Sequence, residues 1–421
     1  MPVLSDGSGS SVRTRPVRAA GIRVSSHGRI STVFNVRNII IFYLHLRNNL
    51  PREASHLRRD TANEVDSSIQ DSYSRPDKMG SMVTNQRILK QTPVRKSVFK
   101  ALQELDHIAI DESRVEELVG AWASEDFELP EWRAPVFPDE STADTSADDV
   151  LDFLFVGNSI NFSFRDFNSD NKFVAEYNGI EWEGAFGMWA CLKRAYERGI
   201  PILNGQYLSG LSKKDFRTLF EPADSTPMPM LEERHRILCN VGDRLVSEYN
   251  GQFHNFIADC SPQLFANGQG IVDRLVEEFP SFNDTGSLQD SGSDILFYKR
   301  AQLAPAMAYG RFNSTPNFKI SDPGAFTVFA DYNLPNVLRH LGVLKYDSSL
   351  RSTIDNKTLI EAGSSKEVEL RVATIAGADL LMESLNRQRE LPVYGPHMDY
   401  KLFSVRDNVE TPVHKTKTTA Y

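Results

Sequence analysis

The sequence predicts a mostly α-helical protein carrying a small antiparallel β element, and three observations predict it. Apolar residues recur at steps of three and four in one segment after another beyond residue 90. The Asn178-Gly179 dipeptide stands between two alternating runs, which is the strongest short hairpin signal a sequence offers. No βαβ rhythm, GxGxxG or GxxxxGK[ST] pattern occurs, which argues against a dinucleotide fold or a P-loop enzyme.

The elements follow in chain order. Residues 94–105 and 116–122 have helical spacing. Phe153-Leu154-Phe155-Val156 is a short continuous apolar run and reads as a buried strand or strand-like entry. Phe173, Ala175 and Tyr177 alternate up to the Asn178-Gly179 turn, and Ile180 and Trp182 alternate after it. Residues 186–197 form a helix stopped by Gly199 and Pro201. Leu231, Leu238, Val241 and Leu245 lie on one helical face, as do Ile271, Leu275 and Phe279 at steps of four. A short helix over 335–341 ends at Gly342. A long one over 366–386 carries Val368, Val372, Ile375 and Leu385 on its apolar side. Residues 137–149 and 284–294, rich in Ser, Asp, Thr or Gly, read as solvated loops.

Charge divides the chain unevenly. The 421 residues carry 47 Lys/Arg against 56 Asp/Glu, a net of −9. Residues 1–78 hold 12 Lys/Arg against 7 Asp/Glu, or +5, so the remaining 343 residues carry −14. The first 52 residues contain eight arginines, many serines and Asp6 alone among acids. Residues 1–80 therefore read as a basic leader: disordered, targeting-like, or upstream sequence mis-joined to the gene, with Met79 and Met82 as alternative starts. Residues 81–421 read as a single α-rich domain. Its acidity argues against a nucleic-acid polymer as partner, which calls for a broad basic surface. No apolar run approaches the roughly 18 residues of a membrane span. Cys191, Cys239 and Cys260 make neither a disulfide framework nor a zinc-binding spacing.

Several polar groups sit inside apolar runs. In Asn161-Phe162-Ser163-Phe164 amides and rings alternate, as they would to read and stack a flat base; the alternative is a capped turn over core phenylalanines. Lys299-Arg300-Ala301-Gln302 places two cations after an apolar run, as a phosphate site or as snorkelling cations on a helix start. Asp331 closes the run Phe326-Thr327-Val328-Phe329-Ala330. It is a candidate buried carboxylate for a reaction that builds positive charge on a sugar, or an N-cap or turn aspartate before the next helix. Asp399, between Met398 and Tyr400, carries the same two readings. His235, among charged neighbours, fits a surface or packing role as well as a catalytic one.

As an ordered set these segments resemble the queuosine salvage proteins, the queuosine 5′-phosphate N-glycosylase family. The resemblance runs from about residue 95 to Tyr421. It rests on Asn161-Phe162-Ser163-Phe164, Gly199-Ile200-Pro201-Ile202, the segment from Pro229 to Leu238, and Phe279-Pro280-Ser281-Phe282. Its most specific blocks are Lys299-Arg300-Ala301-Gln302 and Phe329-Ala330-Asp331-Tyr332, joined by Asp399-Tyr400 and the ending around His414.

The resemblance implies a fold similar to helix-hairpin-helix DNA glycosylases. It also implies hydrolysis of the N-glycosidic bond of queuosine 5′-monophosphate, which releases queuine for tRNA modification, with no metal or organic cofactor. It assigns Asp331 as the active-site acid, Phe329 and Asp399 as base contacts, and Lys299 to the ribose-phosphate end. Asn161 and Phe164 go to the pocket with less definite roles, and Tyr332 and His235 are weaker nominations. Asp399 is expected to accept two parallel hydrogen bonds from the guanine-like edge. The implied partner is a small-molecule nucleotide and the implied location cytoplasmic, with organelle targeting by the basic start as the alternative.

The chain departs from the family at several points. Arg165 stands where tryptophan usually follows Phe164, and Asn333 where arginine usually follows Tyr332. The DYYLW pattern reads Asp399-Tyr400-Lys401-Leu402-Phe403. Residues 132–138, where some members place a base-contacting histidine, contain none. Pro305 follows closely on the Lys299 block, where a helix is expected to run on. Two further readings compete with the family's: a nucleic-acid base glycosylase, and a non-catalytic 7-deazaguanine-binding protein indifferent to loss of Asp331.

Overall fold

Helices begin where the sequence supplies caps. Thr92 accepts from the Arg95 amide at the start of the helix Pro93–Ala101, and Asp111 from the Arg114 amide at the start of Glu112–Trp122. Ser146 and Asp149 form a reciprocal capping box that opens the helix Ala147–Ser159. The computed structural model describes residues 89–288, 294–313 and 315–421, with the short strands Arg23–Val24 and Ile30–Ser31. Those four residues apart, the leader reading of 1–80 and both alternative starts lie outside the described residues.

The cap at Ser146 corrects one expectation. Residues 153–156 are helix, not strand. Every side chain from Val150 to Ser159 is buried, so the helix has no polar face to impose a 3.6-residue period on the sequence. A helix enclosed on all sides and a buried strand read alike over four residues. Gly157 allows the enclosure, since a Cβ there would overlap the Trp189 ring.

The hairpin forms as expected. Val174–Tyr177 pairs antiparallel with Ile180–Glu183, closing at Tyr177 opposite Ile180. Asn178 and Gly179 both have positive φ, 54° and 74°, which a tight two-residue hairpin turn demands. The structure adds further two-stranded antiparallel ladders: Ile108–Ile110 with Leu344–Tyr346, Thr285–Gly286 with Ile295–Leu296, and Arg23–Val24 with Ile30–Ser31. The remaining predicted helices are Ala185–Glu197, Leu231–Glu248, Ile271–Glu278, Leu334–His340 and Ser365–Asn386. The helix Lys299–Phe312 runs straight on through Pro305. None of the described helices is long and apolar enough to cross a membrane.

Two buried clusters fill the molecule. The first gathers the hairpin and the helices Ala147–Ser159, Ala185–Glu197, Leu231–Glu248 and Lys299–Phe312. The second gathers Pro93–Ala101, Glu112–Trp122, Leu334–His340, Ser365–Asn386 and a last helix, Gly395–Val405. Residues 326–330 run along the seam. Phe326 and Phe329 belong to the first cluster, Val328 and Ala330 to the second.

Candidate active site

The seam segment is extended and pairs with no strand among the described residues. Its buried backbone groups still need partners, and side chains from four helices provide them. Arg95 Nη2 donates to Phe326 O at 2.6 Å, and Thr327 N donates to Gln302 Oε1 at 3.0 Å. Phe329 N donates to Asp399 Oδ2 at 2.8 Å, and Arg371 Nε donates to Ala330 O at 3.3 Å. The N-terminal turn of Gly395–Val405 lies so close that a Cβ on Gly395 would strike the carbonyls of Phe326 and Thr327.

The segment delivers Asp331 to the first turn of Leu334–His340. Asp331 Oδ1 accepts from the amides of Asn333 at 2.7 Å and Leu334 at 3.0 Å, and Oδ2 accepts from Asn333 Nδ2 at 2.7 Å. The N-cap of that helix is Asn333, without a side-chain cap, so the half-buried Asp331 serves the turn before it, and three donors fix its carboxylate at the wall of a cavity of about 480 Å³. That volume falls in the range of small-molecule sites.

Lys299-Arg300-Ala301-Gln302 opens its helix from Tyr298, whose φ of 52° turns the chain sharply into it. Lys299 is buried and couples electrostatically to Asp331 and Asp399. Arg300 ties the end of Ala147–Ser159 to the 280–282 turn by donating to the carbonyls of Asn158, Ser159 and Ser281. Gln302 grips Thr327 on both its amide and its hydroxyl. Arg371 holds Asp284 with two hydrogen bonds of 2.7 and 2.5 Å, and Asp284 in turn accepts from the Lys299 amide at 3.1 Å.

Burial sets the charge states. It pushes Asp399 up to about 8; the Phe329 amide opposes this, the negative charge of Asp331 adds to it and Lys299 counters it. Burial pushes Lys299 down to about 8, against the pull of Asp331, while Arg300 adds to the fall. The Tyr332 hydroxyl is pushed up to about 12, by burial first and Asp331 second. Asp399 is half-buried, one of its oxygens already accepts from the Phe329 amide, and desolvation favours its protonated form.

Seven of the eight sequence-nominated residues line this one cavity: Asn161, Phe164, Lys299, Phe329, Asp331, Tyr332 and Asp399. Asn161 donates to Asn158 Oδ1 at 3.0 Å, which fixes its amide against the Ala147–Ser159 helix. His235 is elsewhere. Its Nε2 lies 2.7 Å from Leu211 O, and its ring packs edge-on to Phe216. The supporting residue of that helix is its neighbour Arg234, fully buried, which donates to the carbonyls of Pro229, Phe162 and Ser163. Its guanidinium lies 4.3 Å from the Phe162 ring centroid, and that of Arg300 5.1 Å from the same ring.

Sequence reasoning missed several cavity residues. Trp182, Phe186 and Trp189 supply an aromatic wall from the hairpin and the helix after it. The hairpin signal located them, but nothing in their spacing marked them as facing a ligand. Trp132 also lines the cavity, so the segment without the family's histidine still contributes a ring. Tyr421 folds back beside Ser163, whose amide donates to its carbonyl at 3.0 Å, and joins the lining.

Comparisons with known proteins identify the family of the chain's relatives. Residues 141–421 match the family model described as queuosine salvage protein. The chain is 30% identical over 349 residues to a protein of Sphaerobacter thermophilus named queuosine 5′-phosphate N-glycosylase/hydrolase, covering 82% of this chain and 98% of that one. Proteins of the same name from Mus musculus and Bos taurus are 32% identical over 283 residues and 30% over 298. The first alignment covers 65% of this chain and 82% of the mouse protein, the second 70% and 84% of the bovine one.

Proposed function

The chain belongs to the queuosine salvage protein family, and from that premise we propose that it hydrolyses the N-glycosidic bond of queuosine 5′-monophosphate. The products are queuine, which is available for tRNA modification, and ribose 5-phosphate. The observation that carries the reading is the pairing of two carboxyl groups with opposite duties on one cavity wall. Asp331 is held by three N–H donors, and the half-buried Asp399 is held at the Phe329 amide.

Breaking a nucleoside C–N bond leaves positive charge on the ribose and negative charge on the departing base. A carboxylate fixed below the sugar stabilises the first without reorganising, an effect worth roughly 10²–10³-fold in rate. Asp331 takes that place. It also accepts a proton from the attacking water, whose oxygen bonds to C1′ as the C1′–N bond breaks. Asp399, protonated at neutral pH, gives its proton to the nitrogen of the leaving base. Lys299, coupled to both acids, lies toward the ribose-phosphate end, where its charge selects the 5′-phosphorylated form. Phe329 stacks on the base, with Phe164 and the amide of Asn161 completing the pocket and Tyr332 beside the sugar.

The substrate is a single nucleotide and not a polymer, in keeping with the −14 charge beyond residue 78. Residues 81–421 then act as one catalytic unit with its site on the seam, resident in the cytoplasm and needing no cofactor. A kinship with helix-hairpin-helix glycosylases belongs to the same reading, supported by the helical frame. The test is mass-spectrometric detection of queuine after incubation of the protein with queuosine 5′-monophosphate. Failure to release queuine, with activity on duplex DNA instead, overturns the reading.

A further inference from the structure

We propose that His414, which stands outside the cavity, is a positioning residue for the base pocket: it holds Tyr421, and Tyr421 pins the left-handed turn at Ser163 that presents Asn161 and Phe164 to the cavity. The inference rests on the functional reading above, which seats the base in that pocket, and deepens it.

Ser163 has a φ of 41°, which is unfavourable for a residue with a side chain and persists only where the surroundings enforce it. The turn there divides its block. Asn161 and Phe164 line the cavity, while the Phe162 ring lies beside the buried guanidiniums of Arg234 and Arg300. Every polar group of Ser163 is held. Its amide donates to Tyr421 O at 3.0 Å and its hydroxyl to Thr418 O at 2.8 Å, and its carbonyl accepts from Arg234 Nη2 at 2.8 Å. Two of these three bonds go to residues 418–421, a stretch with no helix or strand to stiffen it. The turn is therefore only as firm as whatever fixes that stretch.

His414 fixes it. Its Nε2 lies 3.1 Å from the Tyr421 hydroxyl, the two rings meet edge-on with centroids 5.9 Å apart, and both residues are buried. The contact closes residues 414–421 into a loop. Burial pushes His414 down to about 3 and the Tyr421 hydroxyl upward, so both groups stay neutral and bond with no charge to desolvate. The loop is moored at its start, where Ile360 N donates to Lys415 O at 2.8 Å. Just before it, Asn336 Nδ2 donates to Thr411 O at 2.8 Å and Thr411 Oγ1 to Asn336 Oδ1 at 2.9 Å. The Tyr421 ring also rests near Arg371, whose guanidinium lies 4.7 Å from its centroid. Loss of the His414 bond therefore frees the far end of a loop whose near end stays anchored, and the far end is the one that grips Ser163.

The experiment compares the wild type with His414→Ala, His414→Gln, Tyr421→Phe and the double variant His414→Ala/Tyr421→Phe. In His414→Ala, KM for queuosine 5′-monophosphate is expected to rise about tenfold while kcat changes less than about threefold. The base pocket loosens, whereas the donors to Asp331 lie on another segment. His414→Gln, whose amide can bond the same hydroxyl, is expected to recover most of the KM. The double variant is expected to be no worse than either single one, since both remove one bond. Hydrogen exchange is the second measurement and needs no substrate. The Ser163 amide is expected to exchange about tenfold faster in His414→Ala than in the wild type. A lower melting temperature with KM and Ser163 exchange unchanged makes His414 a stabilising residue only and overturns the proposal, as do additive effects in the double variant. If His414→Ala does not fold, Tyr421→Phe, which keeps the ring, decides by the same two readouts. A wild type that releases no queuine defeats the functional reading, while exchange at Ser163 still decides whether His414 holds the turn.

Discussion

The backbone amide of Phe329 donates to Asp399 Oδ2 at 2.8 Å, which locks the ring expected to stack on the base to the acid expected to protonate it. Asn at position 399 keeps an acceptor for that amide and removes the transferable proton. Asp399→Asn is expected to melt near the wild-type temperature and to lose roughly 10²-fold or more in kcat, the usual scale of acid catalysis. Calorimetry and steady-state turnover check the two halves. Undiminished kcat would show that the leaving base takes its proton from another source.

Asp331→Asn is expected to abolish measurable turnover while queuine binding stays detectable, because the change removes the charge opposite the ribose and leaves the base pocket intact. Loss of at least roughly 10²-fold follows from preorganised electrostatics alone. Queuine titration beside a mass-spectrometric turnover assay separates the two, and near-normal turnover rejects the assignment.

Asn333 stands where relatives were expected to carry arginine, and its side chain donates to Asp331 Oδ2 at 2.7 Å. Asn333→Ala leaves the two backbone donors on Oδ1 but frees the second oxygen. A fall of about tenfold in kcat with little change in KM is expected of a lost positioning contact. A rise in KM at constant kcat would instead make Asn333 a binding residue.

The pH dependence follows from two shifts that act together. Asp399, raised to about 8, carries its proton below that value and loses it above. Lys299, lowered to about 8, is charged below that value and neutral above. The first change removes the acid the departing base needs and the second the charge that holds the phosphate, so kcat/KM should decline as pH rises through about 8. The two groups interact, and the profile reports values of the pair. A profile flat to pH 10 sinks the assignment.

Arg234 and His235 test support against chemistry. Arg234→Met leaves the buried carbonyls of Pro229, Phe162 and Ser163 without their donor, and is expected to destabilise by about 1–3 kcal/mol for each acceptor left unsatisfied. His235→Ala, outside the cavity, is expected to keep kcat/KM within about twofold. Denaturant melts and turnover assays on both variants decide.

Much of this was legible in the sequence where local chemistry decides structure. The Asn178-Gly179 turn and the stops at Gly199 and Gly342 each rest on a residue whose own conformational preference is enough, and the long helix to Asn386 on its apolar spacing. Residues 153–156 failed because total burial erases the period that separates helix from strand. Asp331 and Lys299 were legible as charges interrupting apolar runs. Arg234 was not, since a charge inside a charged stretch looks solvated until the fold buries it and leaves its neighbour His235 outside. Trp182 was legible as part of the hairpin but not as cavity wall, because which side of a ring faces a void depends on distant packing.

The seam segment has a consequence for how activity arises during folding. Its four side-chain partners lie 25, 41, 70 and 231 residues away from it in sequence. Contacts of such span form late, after the loops between them have closed. Asp331 reaches its working position only when both clusters have assembled and met. Enzymatic competence should therefore be the last property a refolding chain regains, arriving after helix content and after burial of most of its tryptophans.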